Sequence, residues 1–368
     1  LAARNAHKAL LYAAALLDFD IRWLWPSAQA EGALCSCPVT AEALTGALHA
    51  LAQQGNSPFG VYVTSPDYLG GVQDIPALAA VCRAQGVPLL VDNAHGAYLR
   101  FLPQNCHPIA QGAAMCCDSA HKTLPVVTGG AYLHLAHDAP VQDEAAVRGA
   151  LALFGSTSPS YLILQSLDAC NAVLAGDYPR RLAQCCAALE GVRRSLNKAA
   201  AARQCPVPLA VAGAQQEPMK LTLDAAALGC TGTALAEALR RAQMECEYAD
   251  PRYVVLMFTP ENPPQDYTRL QTALEQLLAA VPAGLPRPEN RAGEFAALQQ
   301  QAVQRCTIRQ AVLGAQVRIP VHKALGRVCA MPTVSCPPAI PVAVSGEEIT
   351  PAAIALMQRY GIEELSVL

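Results

Sequence analysis

The sequence predicts an α/β fold, a mainly parallel sheet covered by helices, and three observations carry that prediction. Short apolar runs with strand character, Gly60 to Thr64 and Pro88 to Asp92, alternate with helical stretches long enough to cross back over a sheet. The helical stretches begin at residues that cap free N–H groups, Thr40 and Asp74, and one ends at Gly86. The residues with most chemical potential, Asp92 and Lys122, fall just after strands, where parallel sheets place their ligands.

From the start of the chain, His7 to Leu17 reads as a helix and Ile21 to Leu24 as a strand closed by Trp25-Pro26. A helix runs from the Thr40 cap to about Gln54, a strand from Gly60 to Thr64, and a helix from Asp74 to Gln85. Pro88 to Asp92, Ala113 to Cys117 and Ala131 to Leu135 are the next strands. A polar loop, Ser156 to Pro159, precedes a long helical tract from about Ser160 to Ala200, interrupted between Gly176 and Pro179. Lys220 to Leu223, a helix at about Thr233 to Ala242 and Tyr253 to Phe258 form a small α/β unit. Pro260 to Pro264 breaks it before a helix from Asp266 to Ala280. Val281 to Pro288 is a linker by composition, and beyond it lie a helical stretch and a proline-rich segment, Pro332 to Pro341. This organisation divides the chain into 1–170, 171–285 and 286–368.

Composition narrows the class of function. The 368 residues are 52% hydrophobic, enough to bury a large core in two or three domains. A net charge of −3 with no long basic run argues against nucleic acid as a partner. No uncharged apolar run reaches the roughly 20 residues that span a bilayer; Leu10 to Leu17 is short and flanked by charge. The 15 cysteines are scattered among Ala, Leu and Val, and the close pairs Cys35/Cys37, Cys116/Cys117 and Cys185/Cys186 lack C-x-x-C spacing. They read as reduced thiols used as small core residues, which points to the cytoplasm and to no metal site. The chain opens on Leu1 and enters a helix almost at once, which reads as a missing N-terminus.

The chemistry concentrates in Val91-Asp92-Asn93-Ala94-His95-Gly96 and Ser119-Ala120-His121-Lys122-Thr123. An acid and a lysine at neighbouring strand ends suit pyridoxal phosphate. The amine can condense with the cofactor's aldehyde, and the carboxylate can keep the pyridine nitrogen protonated. Ala94 is small enough for a flat ring to pass the backbone. His95 can hydrogen-bond the cofactor or orient Asp92. His7, in Arg4-Asn5-Ala6-His7-Lys8, carries an imidazole that can stack on a pyridine ring.

Six segments, in order, resemble the ornithine/lysine/arginine decarboxylase family in its compact bacterial form. That family reads R-N-x-H-K-S where this chain has Arg4 to Ala9, and S-P-T-Y-x-G where it has Ser65-Pro66-Asp67-Tyr68-Leu69-Gly70. It reads D-E-A-H-G-A-H at Asp92 to Tyr98, S-x-H-K-T-L-P at Ser119 to Pro125, and T-S-P-S-Y-L at Thr157 to Leu162. Its late Y-P-P-G-I-P-x-x-x-P-G-E resembles Cys336 to Pro341, continuing to Ser345-Gly346-Glu347. Asn93, Tyr98, Asp67, Cys336 and Ala339 depart from the pattern.

The resemblance implies an aminotransferase-like fold of type I for the large domain, with a small α/β domain and a C-terminal decarboxylase domain. It implies a pyridoxal-phosphate-dependent decarboxylase of lysine, arginine or ornithine. Lys122 would be the covalent anchor, Asp92 the partner of the pyridine nitrogen and His7 the stacking ring. Ser119 and His121 would contact the cofactor, and either His121 or Lys122 would return a proton to Cα. Ser156 and Thr157 would help hold a phosphate, that of a partner subunit in a dimer whose sites form at the interface. Glu347 would meet the distal cation of the substrate. The family's upstream phosphate-binding turn has no counterpart before Leu1. Transamination or a Cα–Cβ lyase reaction on the same cofactor stays open, as does an inactive homologue that pairs with an active subunit.

Overall fold

A computed structural model describes residues 1–368 except 27–32, 283, 287, 290 and 333–340. The first half builds one sheet from six strands: β1 (Ala2–Ala3), β2 (Trp23–Leu24), β3 (Val61–Thr64), β4 (Leu89–Asp92), β5 (Met115–Asp118) and β6 (Tyr132–Leu135). Their spatial order is β2-β1-β3-β4-β5-β6; all neighbours are parallel except β5 and β6. The helices among them are α1 (Lys8–Leu17), α2 (Ala41–Gln53), α3 (Ile75–Ala84) and the single turn α4 (Ala120–Thr123).

Local chemistry sets these helix starts. The Thr40 hydroxyl accepts from Ala43 N at 3.1 Å and the Asp74 carboxylate from Ala77 N at 3.1 Å, satisfying N–H groups that the helix leaves free. His7 caps α1 in the same way, its Nδ1 accepting from Ala9 N at 3.2 Å.

Two differences from the sequence reading matter. Strand β5 starts and ends later than Ala113 to Cys117, which brings Asp118 into the strand. A helix, α5 (Glu144–Phe154), precedes the Ser156 loop where none was foreseen; it is capped by Asp143 and buries none of its residues. The helical tract that follows divides at Gly176 into α6 (Tyr161–Ala175) and α7 (Tyr178–Ala202).

A second sheet holds β7 (Lys220–Asp224), β8 (Tyr248–Ala249) and β9 (Tyr253–Met257) in the order β7-β9-β8, with α8 (Gly232–Arg241) between β7 and β8 and α9 (Pro264–Ala279) after β9. The remaining elements are α10 (Ala292–Gln301), α11 (Ile308–Leu313), β10 (Val317–Pro320), α12 (Pro351–Arg359) and β11 (Glu364–Val367), with β10 and β11 antiparallel.

Two large cores hold these parts together. Leu182, Leu189 and Leu196 recur along one face of α7 and pack with Leu221, Leu223 and Val254 of the second sheet. Each such leucine contributes roughly 1.5–3 kcal/mol by leaving water. The other core joins Val61, Val63, Leu89 and Val91 of the parallel sheet to Phe295, Leu298, Met357 and Leu365 from the last part of the chain.

Candidate active site

The parallel register of β4 on β5 sets Asp92 opposite Cys117, so the turn after β4 and the Lys122 turn after β5 open side by side. Asp92 is buried. Its Oδ2 accepts from Tyr62 Oη at 2.9 Å, and its Oδ1 from Ala94 N at 3.1 Å. Two donors from separate segments thus fix the carboxylate's direction.

Lys122 Nζ lies 3.4 Å from His95 Nε2 and makes no ion pair with any described residue. His95 is buried, and its Nδ1 has no hydrogen-bond partner among the described residues. Burial, together with Lys220, Lys122 and His121, drives its pKa well below the usual imidazole value, so the ring is neutral at pH 7. Tyr68 packs edge-on against it, with ring centroids 4.9 Å apart.

His7 is partly exposed. Burial lowers its pKa, with Asp92 pulling it up and Lys122 pushing it down, so the ring sits within electrostatic reach of both. The His121 Nδ1–H donates to Gly130 O at 3.0 Å, because a carbonyl can only accept. The Ser119 side chain makes no capping hydrogen bond. Asp92, Ala94, His95, Ser119, His121 and Lys122 therefore share one end of the sheet, with His7 beside them.

Ser156 and Thr157 are exposed, and among the described residues Ser156 Oγ accepts only from Ser158 N, at 3.1 Å. No hydrogen bond ties either residue to the Asp92 and Lys122 turns among the described residues. Glu347 differs more from its expected role. It is buried, its Oε1 and Oε2 each accept from Arg4 at 2.7 Å, and Oε2 also accepts from Val344 N at 3.0 Å. An internal guanidinium takes the carboxylate that was expected to meet a substrate cation. Cys336 to Ile340 of the late motif lie outside the described residues.

Residues that sequence reasoning did not find also shape the site. Lys220, at the start of β7, is buried and donates to Asp67 O at 2.8 Å, with its Nζ 5.4 Å from the Tyr68 ring centre. Burial lowers its pKa against the pull of Glu217, Asp67 and Glu247. Tyr98, fully buried, hydrogen-bonds Glu217, which ties the segment leading into β7 to the residues that follow Asp92. A lysine inside the apolar strand Lys-Leu-Thr-Leu and a tyrosine inside Val-Tyr-Val-Thr were the available signals for Lys220 and Tyr62.

Residues 1–265 match the family model for the Orn/Lys/Arg decarboxylase major domain. The chain belongs to the Orn/Lys/Arg decarboxylase family. It is 27% identical over 355 residues to an arginine decarboxylase of Bacillus subtilis, covering 94% of this chain and 70% of that relative. It is also 27% identical over 365 residues to the uncharacterized protein YaaO of Bacillus subtilis, covering 97% of this chain and 72% of that relative. Among solved structures, the constitutive lysine decarboxylase of E. coli aligns with a TM-score of 0.72 at 18% identity. That alignment takes in 100% of this chain and 66% of that one, and at such identity it shows a shared fold.

The Orn/Lys/Arg decarboxylase family depends on pyridoxal phosphate, and the residues present fit that group. A buried carboxylate with a fixed direction, an amine free of acid partners and an unpartnered buried imidazole nitrogen converge at one sheet end. Lys122 can bind the aldehyde carbon, Asp92 the ring nitrogen, and His95 or Ser119 a polar substituent.

Proposed function

We propose that this chain removes the α-carboxylate of arginine, lysine or ornithine as carbon dioxide, with pyridoxal phosphate anchored on Lys122. The observation that carries the reading is the Lys122 amine, 3.4 Å from a buried neutral His95 and free of acid partners, beside the fixed Asp92 carboxylate. When bound, the cofactor supplies an electron sink for the pair released as the bond from Cα to the carboxylate breaks.

The chain's own residues do the rest. Asp92 would meet the ring nitrogen with its carboxylate, His7 would offer its imidazole to the ring face, and Ala94 would leave room for the ring. Either His121 or Lys122 returns a proton to Cα in place of the departed carboxylate. Ser119 contacts the cofactor, and Ser156 and Thr157 offer hydroxyls to the phosphate bound by a partner subunit. With Glu347 engaged by Arg4, recognition of the distal cation falls to other acids.

A homodimer is part of the proposal. It is supported by the exposed apolar side chains Leu153, Phe154, Tyr161 and Leu162, which flank Ser156 and Thr157. The division at 170 and 285 is supported by the three sheets, each of which lies within one part. A cytoplasmic setting is supported by 14 described cysteines that are all free thiols. No helix among the described residues is long and apolar enough to cross a membrane.

The test is the visible spectrum of the purified chain with added pyridoxal phosphate, beside Lys122→Ala. A yellow absorption band present in the chain and absent from the variant is expected. Carbon dioxide release from arginine, lysine and ornithine is then measured alongside keto-acid formation. A chain without the band, or one that forms keto acid and no carbon dioxide, overturns the reading.

A further inference from the structure

The sheet end that carries Asp92 and Lys122 has a second face, and it gathers a different set of groups. Along β5 side chains alternate: Cys117 approaches Asp92, with Sγ 3.9 Å from Oδ1, while Cys116 and Asp118 point the other way. The antiparallel register on β6 sets His134 directly opposite Cys116. The loop before β5 brings in His107. Asp118 Oδ2 lies 3.1 Å from His107 Nε2 and 3.0 Å from His134 Nε2. Cys116 Sγ lies 3.7 Å from His107 Nε2 and 3.9 Å from Asp118 Oδ1.

We propose that Cys116, His107, Asp118 and His134 form a tetrahedral zinc site on the sheet face opposite the cofactor residues. Imidazole, carboxylate and thiolate are the donors zinc takes. Bonds of about 2.0 Å to N or O and 2.3 Å to S place neighbouring ligand atoms roughly 3.3 Å apart for N and O and 3.5 Å apart for N and S. The separations of Asp118 Oδ2 from the two imidazole nitrogens, 3.1 and 3.0 Å, and of Cys116 Sγ from His107 Nε2, 3.7 Å, are close to those values before any ion is added. The imidazole nitrogens and a carboxylate oxygen all lie within 4.8 Å of one another.

Supporting contacts surround the donors. Asn93 Nδ2 donates to Asp118 Oδ1 at 2.7 Å and orients the carboxylate from outside the site. Gly96 permits this, because a Cβ there would fall 2.0 Å from Asn93 Oδ1. A cavity of about 570 Å³, lined in part by His107, Asp118 and His134, reaches the site, and the His134 side chain is 39% exposed. On binding, each imidazole presents the Nε2 lone pair with its proton on Nδ1, and the thiol gives its proton to solvent. The ion would brace β5 and β6 at the base of the Lys122 turn, a structural role separate from the proposed decarboxylation.

The full chain, stripped with chelator and dialysed against zinc, is expected to retain one zinc, and His107→Ala and His134→Ala to retain none. Asn93→Ala is expected to bind zinc about 10- to 100-fold more weakly. Cobalt(II) reports the ligands directly. The full chain should show tetrahedral ligand-field bands and a near-ultraviolet thiolate band, and Cys116→Ser should lose the thiolate band alone. That nearly isosteric variant tests the site even if the histidine variants fail to fold. No retained zinc overturns the proposal, as does zinc kept by every variant or a thiolate band that survives Cys116→Ser.

Discussion

Arg4 and Glu347 form a two-armed buried ion pair, 2.7 Å on each arm, between residues 343 positions apart. The Arg4 guanidinium also lies 4.9 Å from the Trp23 ring centre and 4.5 Å from that of Trp25. Removing one partner strands a charge out of water, which costs about 3–5 kcal/mol. Arg4→Met and Glu347→Met should each lose stability on that scale in urea unfolding. The double variant should lose far less than their sum. Additive losses would show that the two groups do not depend on each other.

The donors to Asp92 give graded expectations. Asp92→Asn should lower turnover by about 10²–10³-fold, the scale of losing one preorganised charge at a reacting centre. Tyr62→Phe removes one hydrogen bond to that charge and should weaken pyridoxal phosphate binding by about 10-fold. Absorbance titration and single-turnover kinetics measure the two effects. A Tyr62→Phe protein indistinguishable from the parent would detach Tyr62 from the site.

Asp67 sets a pH dependence. Burial pushes its carboxyl up from 3.8 to about 6, against the opposing pull of Ser36, Lys220 and the Gly71 N–H. The folded state therefore prefers the protonated acid. The stability this gives is full below about pH 4 and is lost as pH rises through about 6, a change of roughly 3 kcal/mol. Asp67→Asn should flatten the unfolding free energy across that window. A variant with the parent's slope would rule out Asp67 as its source.

The apolar surface of α5 and α6 predicts self-association. Leu153, Tyr161 and Leu162 are 79%, 86% and 72% exposed. Leu162→Glu should halve the mass seen by light scattering. It should also weaken cofactor binding if Ser156 and Thr157 serve a neighbouring site. An unchanged mass would locate the contact elsewhere.

Much of the site was legible because its residues are close in sequence to the turns that use them. Asp92 follows a short apolar strand, and Lys122 stands in a Ser-x-His-Lys-Thr turn, so local pattern alone placed both. What pattern missed depends on distance along the chain or on sheet face. Glu347 could be assigned an internal partner only with Arg4 in view. Lys220 reaches Asp67 across 153 residues. A short displacement of β5 decided whether Asp118 was a strand residue whose side chain meets His134 or a loop residue. Helix α5 was passed over although Asp143 caps it, because no buried stripe separates its apolar side chains from solvent.

The shared core has a consequence for synthesis. Val61 and Val91 are packed by Phe295, Leu298 and Leu365, which leave the ribosome long after the strands they cover. At about 5–20 residues per second, that interval is on the order of tens of seconds. Throughout it the parallel sheet lacks part of its apolar cover. The nascent chain therefore carries exposed hydrocarbon on its sheet until the last helices arrive.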